Sequence, residues 1–226
     1  MNRLLLIGLI IATVIIGIIL LNDTRNQTTQ EAQQLGNDSA QPETQSNTDV
    51  NLQQRANLNK ILQEHAITAS MHLQNLYDEK DTTETENMLG QNTKQFIELM
   101  TNISNNSNQS TQTTTQLETI WRGHIQEYEA YTQALMQNNT EQKEEARNNL
   151  QMHAEDFGNA VNALIPNVPA ENATGAMNEH ANLTLSIIDA HAEENTAEKM
   201  ALSTQASAQA AGFAETLIPN RQENNR

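Results

Sequence analysis

One stretch constrains this chain more than any other: Leu117–Leu135, LETIWRGHIQEYEAYTQAL. Leu117, Trp121, His124, Tyr128, Tyr131 and Leu135 recur at alternating steps of four and three. That spacing puts all six on one face of a helix. A chain that places its only Trp, two of its three Tyr and a His on one helical stripe must bury that stripe against other helices.

The same pattern returns on both sides. Six helices are expected, over Leu52–Tyr77, Glu84–Ile103, Leu117–Leu135, Glu141–Leu164, Ala173–Ala192 and Thr196–Ile218. Asn105–Thr115 between the second and third is polar and reads as a loop. Asn139 is followed three residues later by Gln142, and Asn195 by Glu198. Each pair has the form of an N-cap with its N3 partner, and Asp81 with Glu84 fits the same role less cleanly. His124 precedes Asn139 by fifteen residues, and His180 precedes Asn195 by fifteen. Phe157 and Phe213 each follow their cap by eighteen, and His65 lies sixteen before Asp81. The fold class is therefore all-α, built as three antiparallel helical hairpins related by an internal repeat. Few Gly, Pro and aromatic residues point the same way, since a β-protein needs more turn formers and β-branched or aromatic residues.

Before the repeat come two segments of different character. Leu4–Leu21 is an uncharged apolar run of eighteen residues behind Arg3. At about 1.5 Å per residue it spans roughly 27 Å, the thickness of a bilayer core. It is longer than the core of a cleaved signal peptide and lacks a small-residue cleavage site, so 1–21 reads as an uncleaved signal anchor. Arg3 on the short side places the N-terminus in the cytoplasm and the body outside. With about three residues on the cytoplasmic side, signalling would fall to a protein partner. Residues 22–49 carry almost no large apolar side chains and read as a polar tether. The bundle is expected over 50–218, with a polar tail at 219–226.

Trp121-x-x-His124, the repeated Glu64-His65-Ala66 and Glu179-His180-Ala181, and the polar residue repeated on each second helix resemble a family of uncharacterised bacterial and archaeal extracytoplasmic helical-bundle proteins, over roughly Leu58–Leu217. That family has a Thr a few residues after the His. Thr68 and Thr184 match it, while Tyr128 stands there in the middle unit. The resemblance implies fold and location only.

The net charge of −16 argues against nucleic acid and against docking on anionic lipid. With no Cys, disulfides, thiolate metal sites and thiol catalysis are excluded. No nucleophile elbow, P-loop or H-E-x-x-H occurs, and no His has Glu three residues before it, as a di-iron bundle requires. Glu144–Glu145 and Glu193–Glu194 flank turns and read as solvated helix ends, and most Met residues as core filler.

All six His fall on apolar stripes. The first reading is a structural polar layer. Alignment on Phe puts Asn92, His153 and Gln209 opposite His65, His124 and His180, so each hairpin can pair a His with an amide or a second His, fixing register as a buried polar residue does in coiled coils. The chain is then a membrane-tethered, non-enzymatic binding or structural module with no cofactor. The alternative is a metal-binding protein of the cell envelope, with His65, His124, His180 and His153 holding Zn or Cu. The two separate on geometry. In the structural layer each His meets a partner inside its own hairpin, whereas in a metal centre His side chains from different hairpins converge.

Overall fold

The structure is a computed structural model, and it describes residues 47–104 and 110–219. Among them are six helices: α1 (Asn47–Tyr77), α2 (Thr83–Ser104), α3 (Ser110–Met136), α4 (Thr140–Leu164), α5 (Ala170–Ala192) and α6 (Thr196–Leu217). The described residues are all-helical, as the periodicity requires. The expected anchor at 1–21, most of the tether and most of the tail lie outside the described residues. Within them, no helix is long and apolar enough to cross a membrane.

Two helices begin earlier than their apolar stripes. Asn47–Asp49, counted with the tether, open α1, and α3 begins at Ser110 inside the stretch expected to be loop. Both extensions are polar. Period alone misses them because it registers only residues that need burial.

Asn139 and Asn195 cap α4 and α6 as expected, accepting from the Gln142 and Glu198 backbone N–H at 3.2 Å each. Asp81 does not act in the same way. It accepts from the backbone N–H and hydroxyl of Thr83, two residues on, and so shapes the turn before α2.

The hairpin turns show the repeat more strictly than the caps do. Glu79, Asn138 and Glu194 are the described non-glycine residues with positive φ, at 54°, 54° and 55°. In each turn this residue donates its N–H three residues back, to Leu76, Leu135 or His191. The next residue donates five back, to Asn75, Ala134 or Ala190. This is a Schellman closure built three times without glycine. His65, His124 and His180 each lie fourteen residues before the positive-φ position. In all three hairpins the His therefore stands at the same height, about 21 Å below the turn at 1.5 Å per residue. Anchoring the first hairpin on Asp81 hid this identity, because the chain between Glu79 and α2 is longer there.

The first helices of the hairpins, α1, α3 and α5, touch one another, and each second helix lies beside two of them. α2 packs on α1 and α3, α4 on α3 and α5, and α6 on α5 and α1, closing the ring. Arg55 on α1 reaches the Ile218 carbonyl after α6, at 3.0 Å, across the closing seam. Gly158 lets α4 approach the start of α5. A Cβ there would stand 2.5 Å from the Ala170 carbonyl oxygen and against Thr174.

The core divides into two apolar layers. Toward the turns, Leu73, Tyr128, Tyr131, Ala146, Leu150, Ala181, Leu185 and Ile188 pack together. Toward the open ends lies a larger cluster containing Leu58, Phe96, Trp121, Phe157 and Phe213. There the Phe of all three second helices gather near Trp121. Phe96 stacks on it at 4.2 Å, Phe157 lies at 5.8 Å, and Phe213 meets Phe157 edge-on at 5.7 Å. Met100 and Met177 fill core as expected, whereas Met88, Met152 and Met200 are exposed.

Two substitutions test these features by urea denaturation. Glu194→Gly is expected to stabilise by up to about 1 kcal/mol, since the left-handed conformation costs a side chain roughly that much more than glycine. Gly158→Ala is expected to destabilise by about 1–3 kcal/mol, because the added Cβ would meet backbone atoms of Ala170 and Thr174 as well as the Thr174 hydroxyl. No change in the second would mean that the α4–α5 contact is loose.

Candidate metal centre

Between the two apolar layers lie three imidazoles, one from each hairpin. His65 on α1 and His124 on α3 are wholly buried, and His180 on α5 is 4 % exposed. One ligand nitrogen from each lies within 4.8 Å of the other two. His65 Nε2 and His124 Nε2 are 3.2 Å apart, and the His180 ring is centred 5.5 Å from His65 and 6.1 Å from His124. Trp121 lies against His65 and His124, Phe213 against His180, and Tyr128 edge-on to His124 and His180.

The hydrogen bonds determine where the protons sit. Asn92 Nδ2 donates to the Ile61 carbonyl at 2.8 Å, which turns Oδ1 toward His65 Nδ1 at 3.2 Å. An amide oxygen only accepts, so His65 carries its proton on Nδ1 and presents the Nε2 lone pair to the cluster. His124 must then donate from Nε2. Its Nδ1 is left without a hydrogen bond, with the Trp121 carbonyl nearby. His180 Nε2 also has no partner. The Tyr128 hydroxyl is turned toward Thr184 but makes no hydrogen bond, and Trp121 Nε1 is likewise unpartnered.

Burial keeps all three imidazoles neutral. It pushes His65 down to about 3, helped by the neighbouring His180 and opposed by the Asn92 bond. It pushes His180 down to about 4. His124 is held well below the ordinary histidine value by burial and then by His65 and His180. Three neutral imidazoles with converging nitrogens, one of them oriented by an amide behind it, form the donor arrangement of a metal centre.

His153, the fourth candidate ligand, stands outside the trio. Its ring packs over Gly123, where a Cβ would come within 2.6 Å of Cε1. It is half-buried, and its Nδ1 has no partner. Pairing inside each hairpin occurs for His65 with Asn92 but not for the other two. Gln209 donates instead to the Ala176 carbonyl at 2.8 Å, leaving its Oε1 unpartnered. That bond repeats Asn92–Ile61, each amide reaching the carbonyl four residues before the His.

The remaining two His bind neighbouring hairpins. Buried His72 joins Thr85 at 3.1 Å and Glu129 at 2.9 Å, tying the first hairpin to the second. His191 meets Asp78 at 2.9 Å, tying the third to the first. Between the second and third, the Tyr131 hydroxyl donates to Asp189 at 2.8 Å, with Lys143 and Arg147 over its ring. These clasps were missed in the sequence. Asp189 falls between apolar neighbours Ile188 and Ala190, and that placement was the available sign. Glu144, Glu145, Glu193 and Glu194 are exposed, in keeping with solvated helix ends.

Comparison with protein families, with curated proteins and with solved structures finds no match to this chain. The resemblance carried by Trp121–His124 and the Glu-His-Ala pairs gains no support from them. The site is therefore read from its own geometry.

The buried histidines give stability a definite pH dependence. Each is neutral in the folded chain and protonates near its ordinary value of about 6.5 when unfolded. The unfolded state therefore binds more protons below that value. Stability is full above it and falls as pH drops toward the folded values. The slope is about 1.4 kcal/mol per pH unit for each His, up to about 4 for three. Urea midpoints taken in chelator at pH 7, 6 and 5 are expected to drop steeply below 6.5. A flat profile would mean that the three imidazoles are solvated.

Proposed function

We propose that this chain is a metal-binding protein that holds one transition-metal ion between His65, His124 and His180. The observation that carries this reading is the convergence of three neutral, buried imidazoles from three separate hairpins within 4.8 Å. A structural layer needs each nitrogen paired, and two ring nitrogens in the trio have no partner. An ion would replace the proton shared by His65 Nε2 and His124 Nε2 and give the unpartnered His180 Nε2 a partner.

The protein's residues would act as follows. His65 offers Nε2, fixed by the bond from its Nδ1 to Asn92. His124 offers Nε2 once its proton shifts to Nδ1, beside the Trp121 carbonyl. His180 offers a nitrogen from the third side. The apolar layers on both sides hold the rings in place and exclude solvent. His153 orients no ligand in this arrangement. With Leu4–Leu21 as anchor and Arg3 on the cytoplasmic side, the centre would stand outside the membrane, in the cell envelope. The acidic surface would draw cations toward it.

The competing reading, a purely structural layer in a binding module, keeps two supporting facts: His65 pairs with Asn92 inside its own hairpin, and His65 Nε2 is already satisfied by His124 Nε2. Metal analysis separates the two. The full chain in detergent, loaded with Zn or Cu and desalted, is expected to retain one equivalent and to lose it in His124→Asn. Metal at a hundredfold over its dissociation constant should stabilise the chain by about 2.7 kcal/mol. No retained metal, with melting unchanged by chelator, would leave the histidines structural.

A further inference from the structure

We infer that the ion this centre is built for is monovalent copper, held by three nitrogens without a fourth ligand. The inference rests on the metal-binding reading above and specifies it.

The first argument is charge. The three donors are neutral imidazoles, and no carboxylate or thiolate belongs to the group. The nearest carboxylate bound to a His, Glu129, is on His72, about two helical turns closer to the hairpin tips than His65. An ion here keeps its full charge inside an apolar core. The cost of burying charge grows with the square of that charge, so a divalent ion pays about four times what a monovalent one does. Structural zinc centres avoid this with thiolates, and catalytic ones with a bound hydroxide or carboxylate. Among the described residues no thiolate or carboxylate joins the trio.

The second argument is coordination number. Zn(II) takes four ligands and Cu(II) four or more, whereas d¹⁰ Cu(I) is stable with three in a plane. Here there is one donor from each of three helices that meet around one centre. Trp121 and Phe213 wall one side and Tyr128 the other. A trigonal ion with bonds of about 2.0 Å holds its nitrogens about 3.5 Å apart. His65 Nε2 and His124 Nε2 already stand 3.2 Å apart, and the third nitrogen is within 4.8 Å of both. Closing the triangle calls for rotation of the rings and for the His124 proton to move from Nε2 to Nδ1, with no oxidation or reduction involved.

Tyr128 is the one side chain that could reverse this choice. Its hydroxyl is buried and unpartnered beside His124 and His180, and as a phenolate it would supply both a fourth ligand and a negative charge. As a phenolate it would favour a divalent ion, and a Cu(I) centre has no need of it.

The test uses the full chain in detergent under anaerobic conditions. Cu(I) is titrated against a chromophoric Cu(I) chelator, and Zn(II) against a zinc indicator, with fluorescence of Trp121, the chain's only Trp, as a second readout. One Cu(I) per chain is expected, displacing any bound Zn(II) at equal concentration. Tyr128→Phe should change Cu(I) affinity less than threefold, and His180→Asn should lower it at least a hundredfold, with helicity by circular dichroism retained in both. If Zn(II) survives equimolar Cu(I), or if Tyr128→Phe weakens metal binding more than tenfold, the site is divalent: the Cu(I) inference falls and the metal-binding reading stands. If neither ion binds the folded wild-type chain, both fall.

Discussion

Burying three imidazoles at one level is the constraint on which the rest of this structure depends. Each ring has two nitrogens to satisfy, and burial this deep disfavours charge on any of them. The chain meets the demand only in part. Asn92 and His124 satisfy His65, while His124 Nδ1 and His180 Nε2 are left over. Unpaired buried nitrogens are costly, and a cost repeated across hairpins points to a use. The use proposed here is a metal ion, bound through His65 Nε2, His124 Nε2 and a nitrogen of His180.

The helical framework makes the convergence exact in height. The three Schellman turns, each with its residue near φ 54°, fix where each hairpin folds back, and the fourteen-residue interval fixes the His below it. Packing α1, α3 and α5 against one another then brings equal heights to one point. The apolar layers on either side serve different ends of the same job. Trp121 and the three Phe seal the open-end side, and Tyr128, Leu73 and Leu185 seal the side toward the turns. Cross-hairpin clasps at His72–Glu129, Tyr131–Asp189 and His191–Asp78 hold neighbouring hairpins in register without entering the centre.

Much of this was legible in the sequence, for reasons that individual residues show. The stripes of Leu117–Leu135 and its relatives gave the helices, since burial imposes the period. Asn139 and Asn195 gave two of the hairpin turns because capping is local chemistry. Asp81 misled by one residue, since it resembles a cap yet bonds Thr83 instead. His153 misled in a different way. It lies at the right height and on the right hairpin, but its helix belongs to the outer ring, and its side chain reaches Gly123 rather than the centre. The clasp partners Glu129 and Asp189 carried no local pattern that named Tyr131 or His72 as their mates.

By itself the sequence determined the helices, two of the turns and the repeat, because each follows from chemistry within a few residues along the chain. Tertiary structure alone decided that the three His meet, that His153 does not, and that the hairpins close into a ring with first helices inside. Azimuth is the reason. Spacing along a helix fixes which residues share a face, but which neighbour that face turns toward depends on how three hairpins pack, and residues on α1, α3 and α5 separated by more than fifty positions have no local means of recording it.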